Sequence, residues 1–195
     1  LFEWGADGDE VENAIENSFI FNVNNVETYL RYSYNMYSLF AYDEARYFLD
    51  CIYDKVQIEK VKITKLQEVR LYTQLITLAI MQGDCAHALL VATNMHRLSL
   101  EMEDWNIEYG YHYLLSLANM HNGNIKSASD SAKICIAIAE ANKNEFHTFR
   151  AHMLYLMSLM SGFHNILISF EDVPVEEELL ELCKKYGYLN HLAHI

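Results

Sequence analysis

Leu71-Tyr72-Thr73-Gln74-Leu75-Ile76-Thr77-Leu78-Ala79, then Gly83-Asp84, then Ala88 and Ala92, is the stretch that decides the fold. Its apolar positions recur at helical spacing up to the glycine and resume after it. Glycine ends a helix by accepting the left-handed conformation at its C-terminus, and the Asp behind it can cap the next helix. Alanine at a fixed place in the second helix lets two backbones approach where a larger side chain would wedge them apart. The pattern returns as Tyr111-His112, Leu115-Ser116, Asn119, Gly123-Asn124, Ala128 and Ala132. Ala88 and Ala128 stand 40 residues apart, as do Gly83 and Gly123. A repeated hairpin of two amphipathic helices leaves one apolar face that only the next hairpin can bury.

Working outward, a weaker copy precedes these two. It has Tyr29, Tyr32-Ser33 and Met36, a turn at Phe40-Ala41-Tyr42-Asp43, then Ala45 and Leu49. A partial fourth has its first helix at about 145–161 and a turn glycine at Gly162. The spacing predicts a short helix near 8–18, pairs at 25–39/43–59, 62–82/84–100 and 104–121/124–142, and a helix at 145–161. A last helix near 174–187 carries Pro174 in its first turn, Glu176 to Glu178 at the positive end, Lys184 and Lys185 at the negative end, and Gly187 as a stop. The division is helical repeats over 1–162 and a connector with a C-terminal helix over 163–195. No strand pattern is present, and one proline with seven glycines is too few for the frequent turns of a sandwich or barrel.

Composition agrees with a folded, soluble all-α chain. Hydrophobic residues make up 52% and charged ones 21%, which excludes a disordered polymer. The formal net charge of −13 repels phosphate backbones and anionic headgroups, so no nucleic-acid partner is expected. No apolar run is long enough to insert into a membrane. Cys51, Cys85, Cys135 and Cys183 lie far apart in apolar helical stretches, the pattern of buried thiols in a reducing compartment. No signal-peptide pattern follows Leu1, and the cytoplasm is the expected location.

These repeats resemble tetratricopeptide repeats. Tyr72 or His112 falls at that family's early aromatic position, Leu75 and Leu115 at its Leu, Gly83 and Gly123 at its turn Gly, and Ala88 and Ala128 at its packing Ala. The departures are a period of 40 instead of 34, Ser33, Ile76 and Ser116 at the small position of the first helix, and no terminal Pro. The resemblance covers about residues 25–162 and implies a right-handed superhelix of stacked antiparallel pairs with an inner face that binds a partner. A longer period resembles the elongated repeats in regulatory parts of bacterial signalling proteins and transcription activators. The tail Tyr188-Leu189-Asn190-His191-Leu192-Ala193-His194-Ile195 resembles the segment that leads into GGDEF-type diguanylate cyclase domains. That likeness implies a non-catalytic regulatory domain controlling a cyclase in c-di-GMP signalling. The alternative is a stand-alone adaptor or the regulatory domain of a transcription activator. None of the cyclase's own residues is in the chain.

Candidate chemistry is sparse. There is no G-x-S-x-G, no phosphate-binding glycine loop and no H-E-x-x-H. His191 and His194 sit three apart, but no Cys or carboxylate stands at ligand spacing beside them, so no metal and no cofactor is expected. Most tyrosines are read as fillers of wide interhelical gaps with the hydroxyl in water. In the repeat register, Leu30, Tyr34, Tyr37, Arg70, Thr73, Thr77, Tyr113 and Leu117 face the inner groove, where a peptide or small anionic ligand would lie. Arg70 is the lone cation of that set. Met153, Met157 and Met160 form a stripe that either packs inward or docks a partner. Leu179, Leu182, Tyr186 and Leu189 have near-heptad spacing, which either pairs two chains as a homodimer or caps the repeats.

Overall fold

A computed structural model describes residues 26–58 and 61–163. Among the described residues there are seven α-helices and no strand. They are α1 (Val26–Ser38), α2 (Tyr42–Gln57), α3 (Lys65–Met81), α4 (Cys85–Met102), α5 (Trp105–His121), α6 (Ile125–Ala141) and α7 (Glu145–Phe163). Each of the seven helices expected between residues 25 and 161 is present. The helix expected near 8–18, the C-terminal helix and its Leu179, Leu182, Tyr186 and Leu189 lie outside the described residues. No described helix is long and apolar enough to cross a membrane.

The corners explain why the helices stop where they do. After α3, the Asp84 N–H donates to the Ala79 carbonyl at 2.8 Å and the Gly83 N–H to Ile80 at 3.0 Å. This crossed pair satisfies carbonyls that the helix end would leave open, and it needs a left-handed residue between, here Gly83 with φ 79°. The same corner recurs after α5, where Asn124 bonds to Asn119 at 2.8 Å and Gly123 has φ 78°. It recurs twice without glycine. Ala41 bonds to Met36 at 2.9 Å with Phe40 at φ 62°, and Asn144 to Ala139 at 3.0 Å with Lys143 at φ 52°.

The next helix starts at once. The Asp84 carboxylate accepts from the His87 N–H at 3.1 Å, Asp104 from Asn106 at 2.8 Å, and the Asn144 side chain from His147 at 3.0 Å. Asn124 stands where Asp84 does in the repeat, but its side chain makes no capping bond. Before α3, Thr64 and Gln67 form a reciprocal box: Thr64 Oγ1 accepts from the Gln67 N–H and Gln67 Oε1 accepts from the Thr64 N–H. That box sets the start of α3 at Lys65, later than the 62 expected.

The chain divides into two compact units, one ending at Leu78 and one starting at Ala79, with the boundary inside α3. In the first, α1 packs on α2, and their close approach rests on Ala45, which is wholly buried. The Ser33 hydroxyl, buried against it, donates to the Ala45 carbonyl at 3.0 Å. Tyr29 and Phe48 meet edge to face beside this contact. In the second, α4 packs on α5, α5 on α6 and α6 on α7, with α5 also touching α7. Here Ser116 donates to the Ala128 carbonyl at 2.8 Å, again 12 residues on. Two of the three residues noted at the small position of the first helix, Ser33 and Ser116, therefore form a hydrogen-bonded clasp, while Ile76 fills the same position with an apolar side chain.

Cys85 and Cys135 are buried free thiols, while Cys51 is only half-buried. Burial pushes the Cys135 thiol up to about 12, so it stays protonated and unreactive. Its Sγ lies 3.6 Å from the Tyr109 carbonyl.

Candidate functional site

In the first unit, α1 and α3 wall a cleft of about 110 Å³. Tyr34 and Tyr37 come from α1, Thr73 and Thr77 from α3, while Ala45 and Leu49 of α2 also line it. The helical spacing of these residues puts each pair on one face, so four of the residues expected on the inner face do meet. Tyr34 is 60% exposed, and Tyr37 is half-buried. Burial, and then the neighbouring Tyr42 and Tyr34, raise the Tyr37 phenol above its ordinary value, which keeps it protonated.

The threonine and serine hydroxyls along the walls already have backbone partners. Thr73 Oγ1 donates to the Val69 carbonyl at 2.7 Å, Thr77 Oγ1 to Thr73 at 2.8 Å, and Ser33 is the clasp. The threonines therefore act in the cleft mainly through their methyl groups. Gln74 ties the walls together: its Nε2 donates to the Leu30 carbonyl at 3.1 Å. Because only the NH₂ end can serve a carbonyl, the amide orientation is fixed. Its Oε1 is buried and has no hydrogen-bond partner among the described residues.

Tyr34 and Gln74 also line a second, more open depression of about 340 Å³, together with Glu27, Arg31, Asn35 and Arg70. Arg70, the lone cation of the expected set, lies there paired with an acidic side chain. Its Nη1 is 2.5 Å from Glu27 Oε1, and Arg31 Nε reaches the same oxygen at 3.4 Å. Two guanidiniums share one carboxylate, so an anion would compete with Glu27 for Arg70. Leu30, placed on the inner face by the repeat register, is itself buried and lines this depression from below. Glu27–Arg31 is an ordinary i,i+4 pair that the sequence offers. Arg70–Glu27 and Gln74–Leu30 span more than 40 residues and had no local sign.

Tyr113 and Leu117 belong to the second unit. Tyr113 is not open: the Arg150 guanidinium lies 4.7 Å above its ring, and Tyr109 stacks on it at 6.0 Å. Leu117 is half-buried on the same helix. Around them, His147 meets Tyr109 edge to face at 4.6 Å and Trp105 at 5.6 Å, and the Tyr109 hydroxyl donates to the His147 carbonyl at 3.1 Å. Burial, then Cys135, pushes the Tyr109 phenol far up, so it is a fixed donor. Burial, then Arg150, lowers His147. This cluster joins α5 to α7 as interhelical packing, the role assigned to most of the tyrosines. Across α4 and α5, His96 stacks on Tyr111 at 4.7 Å. His112 beside it has a buried Nδ1 without a hydrogen-bond partner among the described residues, and burial lowers its pKa, while Glu108 raises it and His96 lowers it.

Of the methionine stripe, Met157 is 46% exposed and Met153 half-buried on α7. Among the described residues no three His, Cys, Asp or Glu side chains converge as metal ligands would. Comparison with protein-family models, with curated proteins and with solved structures returned no match.

Proposed function

We propose that this chain is a tetratricopeptide-like, right-handed superhelical binding domain that takes a peptide segment of a partner protein and has no catalytic role of its own. One observation carries the reading. Tyr34, Tyr37, Thr73 and Thr77, assigned to the inner face from the repeat register, line a single apolar cleft. Amphipathic tyrosines beside methyl-walled space are suited to an extended or helical segment that buries one or two anchors. The threonine hydroxyls of the walls are already bonded and no reactive pair of titratable groups lines the space, which favours binding over chemistry.

The regulatory role follows the resemblances. The tail through Leu192-Ala193-His194 supports a place ahead of a GGDEF-type cyclase in a bacterial cytoplasmic signalling protein. Leu179, Leu182, Tyr186 and Leu189 would then pair two chains and set the distance between two cyclase domains. A partner that prefers one arrangement shifts the population by its differential affinity.

Selection from a displayed random-peptide library, followed by NMR mapping, tests the binding reading. Selected peptides should shift the amides of Tyr34, Tyr37, Thr73 and Thr77; binders that map elsewhere, or a library that yields none, sink it. The coding sequence 3′ of the Ile195 codon tests the output domain. Asp-x-Leu-Thr followed by Gly-Gly-Asp/Glu-Glu-Phe supports the cyclase, a helix-turn-helix module the transcription activator, and a stop codon the adaptor. A strict monomer by light scattering at high concentration would remove the pairing role from the last helix.

A further inference from the structure

We infer that the open depression between α1 and α3 receives an aspartate or glutamate side chain of the partner peptide, held by the guanidiniums of Arg31 and Arg70. The inference rests on the peptide-binding reading above and names the chemistry of the segment. The donors are open to solvent: both arginines line the depression, and their side chains are 77% and 47% exposed. Each spends one nitrogen on Glu27 Oε1, Arg31 its Nε and Arg70 its Nη1. No other acceptor among the described residues bonds to either. The Nη1–Nη2 edge of Arg31 and the Nε–Nη2 edge of Arg70 remain, and either edge matches the two oxygens of a carboxylate. Asn35, exposed on the same wall, adds an amide donor. At about 340 Å³ the depression has room for the side chain and the backbone beside it, since ligand sites span about 300–1,000 Å³. Tyr34 and Gln74 also line the apolar cleft, so the acidic residue lies next to whatever the cleft anchors.

Charge selects the class. Two guanidiniums against one carboxylate leave the depression one positive charge in surplus, which a single further carboxylate balances. A phosphate monoester carries about −1.5 to −2 at pH 7 and would face Glu27 with charge to spare. A Lys or Arg of the partner would meet two like charges. The surroundings leave this surplus intact. Residues 26–78 hold seven of the chain's 14 Lys and Arg against seven of its 27 Asp and Glu, so they are neutral within a chain of −13. The field of more distant acidic residues fades over about 8 Å at physiological salt. Glu27 is a placeholder: its pair with Arg70 is half-exposed and weakly held, so an incoming carboxylate displaces it from Arg70 at little cost. The Glu27–Arg31 contact, four residues apart on α1, stays available to it.

Three tripeptides blocked at both ends separate the cases: acetyl-Ala-Asp-Ala-amide, its asparagine counterpart and its phosphoserine counterpart. With the full chain observed by NMR at low salt, the Asp probe should shift the Nε–H signals of Arg31 and Arg70 and the side-chain amide of Asn35. The Asn probe, equal in shape and without charge, should bind about 10-fold more weakly. Arg70→Met should weaken the Asp probe by about 10-fold. Glu27→Gln should strengthen it about threefold, because it removes the competitor, and no merely structural role of Glu27 gives a gain. That comparison stands even if Arg70→Met does not fold. Equal affinity of the Asp and Asn probes, shifts elsewhere in the chain, no gain in Glu27→Gln, or no shift at about 50 mM Asp probe overturns the inference. Tighter binding of the phosphoserine probe overturns it in favour of a phosphorylated segment. If library peptides without Asp or Glu still map to the cleft, the peptide-binding reading survives and only the acidic assignment falls. If the Asp probe binds as expected and the library yields nothing, the carboxylate site stands and the peptide reading falls. Shifts of the same signals on dilution of the chain alone would assign the occupant to a second copy and overturn a partner peptide.

Discussion

The α1–α2 and α5–α6 hairpins solve one problem with the same clasp and different corners. Each joins its helices through a buried serine hydroxyl on an alanine carbonyl 12 residues later. Each ends its first helix with the same crossed pair of backbone bonds. Yet the left-handed residue is Gly123 in one and Phe40 in the other, and Phe40 is 77% exposed beside a 70% exposed Leu39. In these two hairpins the interior contact keeps one chemistry, a buried hydroxyl at a close backbone approach. The corner stands in open space, and a Cβ at Gly123 would meet nothing within 4 Å. Its only penalty is conformational, about 1–2 kcal/mol for a residue other than glycine.

The most severe way to break this equivalence is to fill the clasp. Ala45→Leu and Ala128→Leu should each cost about 2–3 kcal/mol in urea unfolding, through overpacking at positions with no exposure. If one is tolerated and the other is not, the two clasps are not equally tight. Exchanging the corners comes next. Phe40→Gly should stabilise and Gly123→Ala destabilise by about 1 kcal/mol each, read as opposite shifts in Tm. Removing the hydroxyl alone, as Ser33→Ala or Ser116→Ala, should cost about 1 kcal/mol in either hairpin, because the helix still satisfies the carbonyl.

Smaller effects separate the two units by charge. Folded His147 and His112 bind protons less readily than an ordinary histidine near 6.5. The unfolded chain therefore takes up protons first. Stability from these residues is complete above about 6.5 and is lost as pH falls through their folded values. The urea midpoint should drop between pH 7 and 5.5, and His147→Gln should flatten part of that fall. In the first unit, Arg70→Met should change stability by less than about 1 kcal/mol, since the Glu27 pair is half-exposed.

Helix positions were largely legible because each hairpin states its own punctuation. Gly83, Gly123 and the capping Asp84 mark ends that the structure keeps. Phe40, Glu103 and Lys143 carry the same left-handed conformation without the residue that advertises it, so those corners were placed only through the repeat spacing. The site was legible as faces and not as partners. Helical spacing brought Tyr34 beside Tyr37 and Thr73 beside Thr77, but the Glu27 that occupies Arg70 comes from a helix 43 residues away. Gln74, which joins the walls and leaves an acceptor unpaired, has no pattern that distinguishes it from any polar helical residue.

A latch closed by residues only 12 apart has a consequence for how the polypeptide matures. Each of these two hairpins can engage its own fastening within a short time of leaving the ribosome, well before the segment that follows it has been made. Newly made hairpins would then wait as half-finished units with one greasy flank uncovered, and the order of synthesis would become the order of assembly.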